Sequence, residues 1–140
     1  MATSIYVVCG ICANFWGESG VNPGIYENLD PLRPDPAGYG LGQWTDNPPI
    51  VERRTALFNW LDANGYSRDS GPGQLEFLVY ENLWIPSTFT PSAYQTLTDF
   101  FNSTSSNTGA LVEEWMWHWE GIDEGSYQTR LDAARYFLQL

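Results

Sequence analysis

Glu18 lies where an apolar helical pattern stops, in the run Trp16-Gly17-Glu18-Ser19-Gly20-Val21-Asn22-Pro23. About twenty residues on comes a second block, Gly38-Tyr39-Gly40-Leu41-Gly42-Gln43-Trp44, rich in glycine and aromatic rings. A carboxyl group at a helix end beside aromatic rings is poorly solvated and suited to donating a proton as a general acid. Partial burial against Phe15, Trp16 or Trp44 would add a desolvation cost to the ionised form, and Trp faces suit the flat apolar sides of sugar rings, so the pairing points to polysaccharide cleavage. The ordinary role of a glutamate just past a helix is a solvated loop acid, and position alone does not exclude it.

The elements around these residues read as mostly α, in one domain over 1–140. A first helix is expected from about Ser4 to Trp16, with Ser4 as N-cap and Ile5, Val8, Cys9, Cys12, Phe15 and Trp16 on its stripe. Residues 21–37 carry Asn22-Pro23-Gly24, Asp30-Pro31, Arg33-Pro34 and Asp35-Pro36, and read as a long loop. Residues 38–46 suggest an extended hairpin or turn. Further helices are expected from Pro48 to Gly65, and from Gln74 to Trp84 with Leu75, Leu78 and Val79 inside. Three more open at Thr90-Pro91, run over Gly109–Trp119, and run from Ser126 to the C-terminus.

Composition narrows the partners. Six Arg and no Lys against 17 acids give a net charge of −11, which repels phosphate backbones and makes nucleic acid an unsuitable partner. No run reaches the roughly 18 apolar residues of a membrane span, and the N-terminus lacks the basic region of a signal peptide. Cys9 and Cys12 are expected to be reduced thiols on a helix. The lone His118 supports neither a metal site nor a catalytic triad, and no cofactor is called for. Seven Trp, eight Tyr and seven Phe exceed what a 140-residue core uses, which leaves rings for a binding surface. Trp115, Trp117 and Trp119 cannot all face one side of a helix, and Trp117 is the one expected outside.

Glu18 to Pro23 followed by Gly38 to Trp44 resembles the Glu-Ser-Gly-x-Asn-Pro and Gly-x-Gly-Leu-x-Gln signature of the lysozyme superfamily. Asn14 to Ser19, Gly40 to Thr45 and the Arg53-Arg54 helix resemble the phage tail-lysozyme family more narrowly. Gln74 to Leu78, and Trp119-Glu120 with Arg130 to Ala134, add weaker likeness over nearly the whole chain. The resemblance implies a lysozyme-like fold of about six helices with a short hairpin or loop beside the cleft. It implies a glycoside hydrolase, a muramidase cutting the β-1,4 bond between N-acetylmuramic acid and N-acetylglucosamine in bacterial peptidoglycan. A lytic transglycosylase, or a non-catalytic wall-binding module on the same scaffold, fits the same motif. Glu18 becomes the general acid, and Tyr39 and Gln43 line the cleft, while Trp44 is either a platform for sugar or core.

A hydrolase of this kind needs a second carboxylate, which the sequence does not single out. Glu27 is the first candidate and Asp46 the second; Asp30, Asp35 and Glu120 are further options. Arg53 and Arg54 are expected to form structural ion pairs. The setting implied is a phage, either in the virion tail or as an endolysin made in the host and released to the wall, with a wall-binding module or tail component as a further partner.

Overall fold

A computed structural model describes residues 2–26, 38–48, 51–87, 90–121 and 127–140, without the Asn47 side chain. Glu27, Asp30 and Asp35 lie outside the described residues. The chain is mostly helical: α1 Ile5–Ser19, α2 Arg53–Ala63, α3 Gly71–Glu81, α4 Leu97–Phe101, α5 Thr108–Trp115 and α6 Tyr127–Leu138, with a π-helical turn Met116–Glu120 continuing α5. A three-stranded antiparallel sheet is formed by β1 Gly38–Tyr39, β2 Trp44–Asn47 and β3 Val51–Glu52. It is in register Gly38 with Thr45, Tyr39 with Trp44, Asp46 with Glu52 and Asn47 with Val51. Two compact units share the chain, one of residues 1–17 and 82–140, the other of residues 18–81.

In the first unit, α1 packs closely on α5: a Cβ on Gly10 would meet Leu111 Cβ at 3.5 Å. Phe15 meets Trp115 and Trp119 edge-on at 6.0 and 6.3 Å, and those two indoles stack at 4.8 Å. Ala13, Val112, Met116 and Ala134 close a second buried cluster with α6. Through this core runs a polar seam. Buried Arg130 donates from Nη1 to Asn14 Oδ1 at 2.6 Å and to Glu120 Oε2 at 2.5 Å. Both partners of this ion pair are nearly dry, so it imposes geometry more than it adds net stability.

Several element ends differ from expectation. Ser4 Oγ does cap α1, accepting from Val7 N–H at 3.3 Å, but the helix continues to Ser19, which puts Glu18 in its last turn. Its buried face holds Val7, Cys9, Ala13, Asn14 and Phe15, while Ile5, Val8 and Trp16 are exposed. Asn14 is buried because its amide donates to Gly10 O and its oxygen takes Arg130. Helix α2 starts at Arg53, not Pro48, because Val51 and Glu52 pair with β2 first. Helix α4 starts after Thr96, not at Thr90-Pro91: Thr96 and Asp99 form a reciprocal capping box. Ser92 and Ala93, which the expected helix would have enclosed, are instead held by the Glu114 carboxylate.

Cys9 is buried, Cys12 half-buried, and both are free thiols. Burial pushes both up, and the neighbouring Cys9 adds to the effect on Cys12. His118 is fully buried, donating from Nδ1 to Ile85 O at 2.6 Å. Trp115 and Trp119 are buried and Trp117 is half-buried. No described helix is long and apolar enough to cross a membrane.

Candidate active site

Glu18 is half-buried in the last turn of α1. Two successive left-handed residues end the helix there, Gly20 at φ 61° and Val21 at φ 59°. Valine is β-branched and disfavours that region, so the turn is held by its surroundings rather than by local preference. Asn22 N–H donates to Ser19 O at 3.1 Å, and Asn22 Oδ1 accepts from Gly24 N–H at 2.9 Å, closing a local Asn turn.

The two sequence blocks are one stitched piece. Ser19 is buried, and its hydroxyl donates to Leu41 O at 3.1 Å. Ile25 O accepts from Gly40 N–H at 2.9 Å and from Gln43 Nε2 at 3.3 Å, and Tyr26 bridges Tyr39 in antiparallel fashion. Gln74 fastens the piece from beneath. Its Oε1 accepts from Leu41 N–H at 2.9 Å, and its Nε2 donates to Pro23 O and Arg68 O, each at 2.7 Å. Gly40 is required twice over: its φ is 77°, and a Cβ there would lie 2.5 Å from Gln74 Oε1.

Gln43, at φ 51°, closes this turn, its Nε2 donating to Gly40 O at 2.9 Å. Tyr39 is mostly buried, its ring 4.6 Å from Tyr26 and 4.9 Å from Phe58. Of the two alternatives for Trp44, the structure selects core. The indole is 0% exposed, packs on Phe77, and donates from Nε1 to Glu81 Oε2 at 2.8 Å, so no face is open to a sugar. The other Glu81 oxygen accepts from Arg53 Nε at 2.5 Å.

Asp46 sits in β2 and works on α2. Its Oδ1 accepts from Thr55 N–H at 3.0 Å, its Oδ2 from the Thr55 hydroxyl at 2.6 Å, and Arg54 lies 3.5 Å away. Partial burial alone would raise this carboxyl. The Thr55 hydrogen bonds and the Arg54 charge outweigh burial and hold it below its ordinary range. Glu52 makes no side-chain cap at the start of α2, so Asp46 supplies that cap from the neighbouring strand. Among the described residues no group of three or more His, Cys, Asp or Glu could hold a metal ion.

Two residues here escaped the sequence reading. Gln74 was visible only as part of a weak motif, because a buried carboxamide has no periodic signal. Tyr26 presents an aromatic ring 45% exposed, eight residues after Glu18 and resting on Tyr39. Its position in a proline- and glycine-punctuated loop gave no reason to distinguish it from solvated loop residues.

Morphogenesis protein 1 of Bacillus phage B103 is 39% identical over 74 residues, covering 53% of this chain and 18% of that protein. The chain therefore spans less than a fifth of the length of this relative. The phage tail lysozyme family matches residues 2–140, essentially the whole chain, which has the mostly helical, lysozyme-like fold class and belongs to that family.

Proposed function

We propose that this chain is a peptidoglycan-cleaving muramidase, with residues 1–140 acting as one catalytic domain and Glu18 as the general acid. The observation that carries this reading is the placement of Glu18: half-buried in the last turn of α1, with the next residue, Ser19, bonded to the Gly40–Gln43 turn. A helix end held this way would let Glu18 present its carboxyl to a glycosidic oxygen from a fixed backbone, and general acid catalysis requires such positioning. Tyr26 replaces Trp44 as the ring that meets a sugar face. Tyr39 backs that ring, and Gln43 shapes the turn with its amide while its oxygen remains an acceptor for a sugar hydroxyl.

For the second carboxylate, Asp46 is the weaker candidate, since both oxygens serve Thr55 and Arg54 at the start of α2. Glu27, one residue beyond the exposed Tyr26, is the candidate we carry forward. Substrate attack by the N-acetyl group is the alternative, and it would make the enzyme a lytic transglycosylase. Mass spectrometry of digested peptidoglycan tests these readings. Reducing muramic acid ends are expected; 1,6-anhydro ends would establish the transglycosylase, and intact glycan would refute cleavage altogether. The name of the phage B103 relative, a morphogenesis protein, favours a second reading, a part in virion assembly. That reading predicts virions that fail to assemble without this chain but assemble normally with Glu18→Gln.

A further inference from the structure

The turn of α1 that leads into Glu18 rests on a buried charge. Asn14, Gly17 and Glu18 stand at i, i+3 and i+4, so they form one patch of the helix surface. Arg130 of α6 lies against the first two. Its Nη1 donates to Asn14 Oδ1 at 2.6 Å. Its side chain crosses the place where Gly17 would carry a Cβ, 2.9 Å from Nε and 3.2 Å from Cγ and from Cζ. Those distances are shorter than ordinary contacts of 3.4–4 Å, so only glycine admits the guanidinium this closely. Glu120 Oε2 accepts from the same Nη1 at 2.5 Å.

Asn14 is tied down in turn. Its Nδ2 donates to Gly10 O at 2.8 Å and to Val112 O at 3.4 Å. One buried carboxamide thus joins α1 to α5 and, through Arg130, to α6. Arg130, Glu120, Asn14 and Gly17 all belong to the unit of residues 1–17 and 82–140, and Glu18 follows Gly17 within the same helix.

We infer that Arg130 is a positioning residue for Glu18, acting through Asn14 and Gly17 on the last turn of α1. The inference rests on the reading of Glu18 as general acid. The Arg130 and Glu120 side chains are only 3% and 4% exposed, and a pair so dry adds little net stability over apolar groups of equal volume. What it adds is direction. Nη1 carries two hydrogens, one for each oxygen, and the planar guanidinium then lies in a fixed plane against the Gly17 backbone. Helix ends otherwise fray, and Glu18 sits in such an end. Misplacing a reacting group by about 1 Å can cost about 10²-fold in rate, so the seat beneath that turn bears on turnover.

Arg130→Lys and Gly17→Ala in the full chain test this. Lysine keeps the charge and can donate to Asn14 and Glu120, but it has no plane to lay on Gly17. Alanine is the better helix former, so propensity alone predicts a stabilised α1. Its methyl instead meets the guanidinium and displaces it. In both variants kcat on soluble peptidoglycan strands should fall about tenfold or more, with KM within about threefold of wild type. Amide hydrogen exchange at Glu18 and Ser19 should quicken about tenfold beyond any change at the core amide of Leu111. A merely structural Arg130 would quicken all three amides alike and leave kcat of the folded protein unchanged. Wild-type kcat in folded Gly17→Ala, or Glu18 and Ser19 exchange no faster than at Leu111, overturns the inference. A wild type that cleaves no glycan removes the catalytic reading instead, and exchange at Glu18 and Ser19 then decides whether Arg130 holds the turn.

Discussion

Replacing Gln74 with Ala should cost more than any surface change in residues 18–81, because one side chain holds three separate stretches of backbone. Its carboxamide is buried and makes three hydrogen bonds, to Leu41 N–H, Pro23 O and Arg68 O. Each such bond contributes a net of about 1 kcal/mol, and a buried donor left without an acceptor costs about 1–3 kcal/mol. Loss of two acceptor contacts and stranding of Leu41 N–H therefore sum to about 3–5 kcal/mol, less whatever entering water restores. That is a large share of the roughly 5–15 kcal/mol that holds a domain together. Urea denaturation gives the global loss, and hydrogen exchange at the Leu41 amide gives the local one. Glu at position 74 sharpens the test. It retains an acceptor for Leu41 N–H but turns an anionic oxygen toward the Pro23 and Arg68 carbonyls, so this variant should be destabilised increasingly as pH rises. A loss under about 1 kcal/mol in Gln74→Ala, with Leu41 exchange unchanged, would refute the reasoning.

The other predictions concern groups fixed by the same contacts. Asp46 is held below the ordinary carboxylate range, so its stabilisation is present above roughly pH 4 and lost as pH falls through its lowered value; Asp46→Asn should flatten the acid limb of a stability–pH curve. Arg130→Met strands Glu120 and Asn14 and should cost about 3–5 kcal/mol in thermal or urea unfolding, and adding Glu120→Gln should recover part of it. An unchanged melting temperature in Arg130→Met would contradict the buried pair. Gly40→Ala combines a left-handed backbone with a collision against Gln74, and should lower stability by about 2 kcal/mol or more in the same assay.

The helices were legible where an apolar stripe met a clear stop. Leu111, Val112, Trp115, Met116 and Trp119 lie inside as their spacing demands, and Gly121 at φ 71° ends the run. The stripe of α3 misled for a physical reason. Leu75 and Val79 are 46% and 61% exposed, and the buried positions are Gly73, Gln74, Phe77 and Leu78. Apolar spacing cannot reveal a glutamine whose burial depends on three distant backbone groups. Strands β1 and β3, of two residues each, are too short to show alternation, so the sheet beyond the hairpin and the late start of α2 stayed hidden. At the candidate site, the proximity of the end of α1 to the Gly40–Gln43 turn was readable from residue type and spacing, and the role of Glu18 is a proposal. The closure of Trp44 depended on Glu81, 37 residues away, and the capping role of Asp46 on Thr55; neither coupling leaves a local trace.

The central claim is that the Glu18 carboxyl delivers a proton to a glycosidic oxygen, and muropeptide release by wild type and Glu18→Gln under identical conditions tests it most directly. The substitution keeps size and hydrogen-bonding shape but removes the transferable proton. Release should fall by about 10²-fold or more, with the melting temperature and Leu41 amide protection preserved. A Gln variant that is folded and releases muropeptides at the wild-type rate would contradict the account.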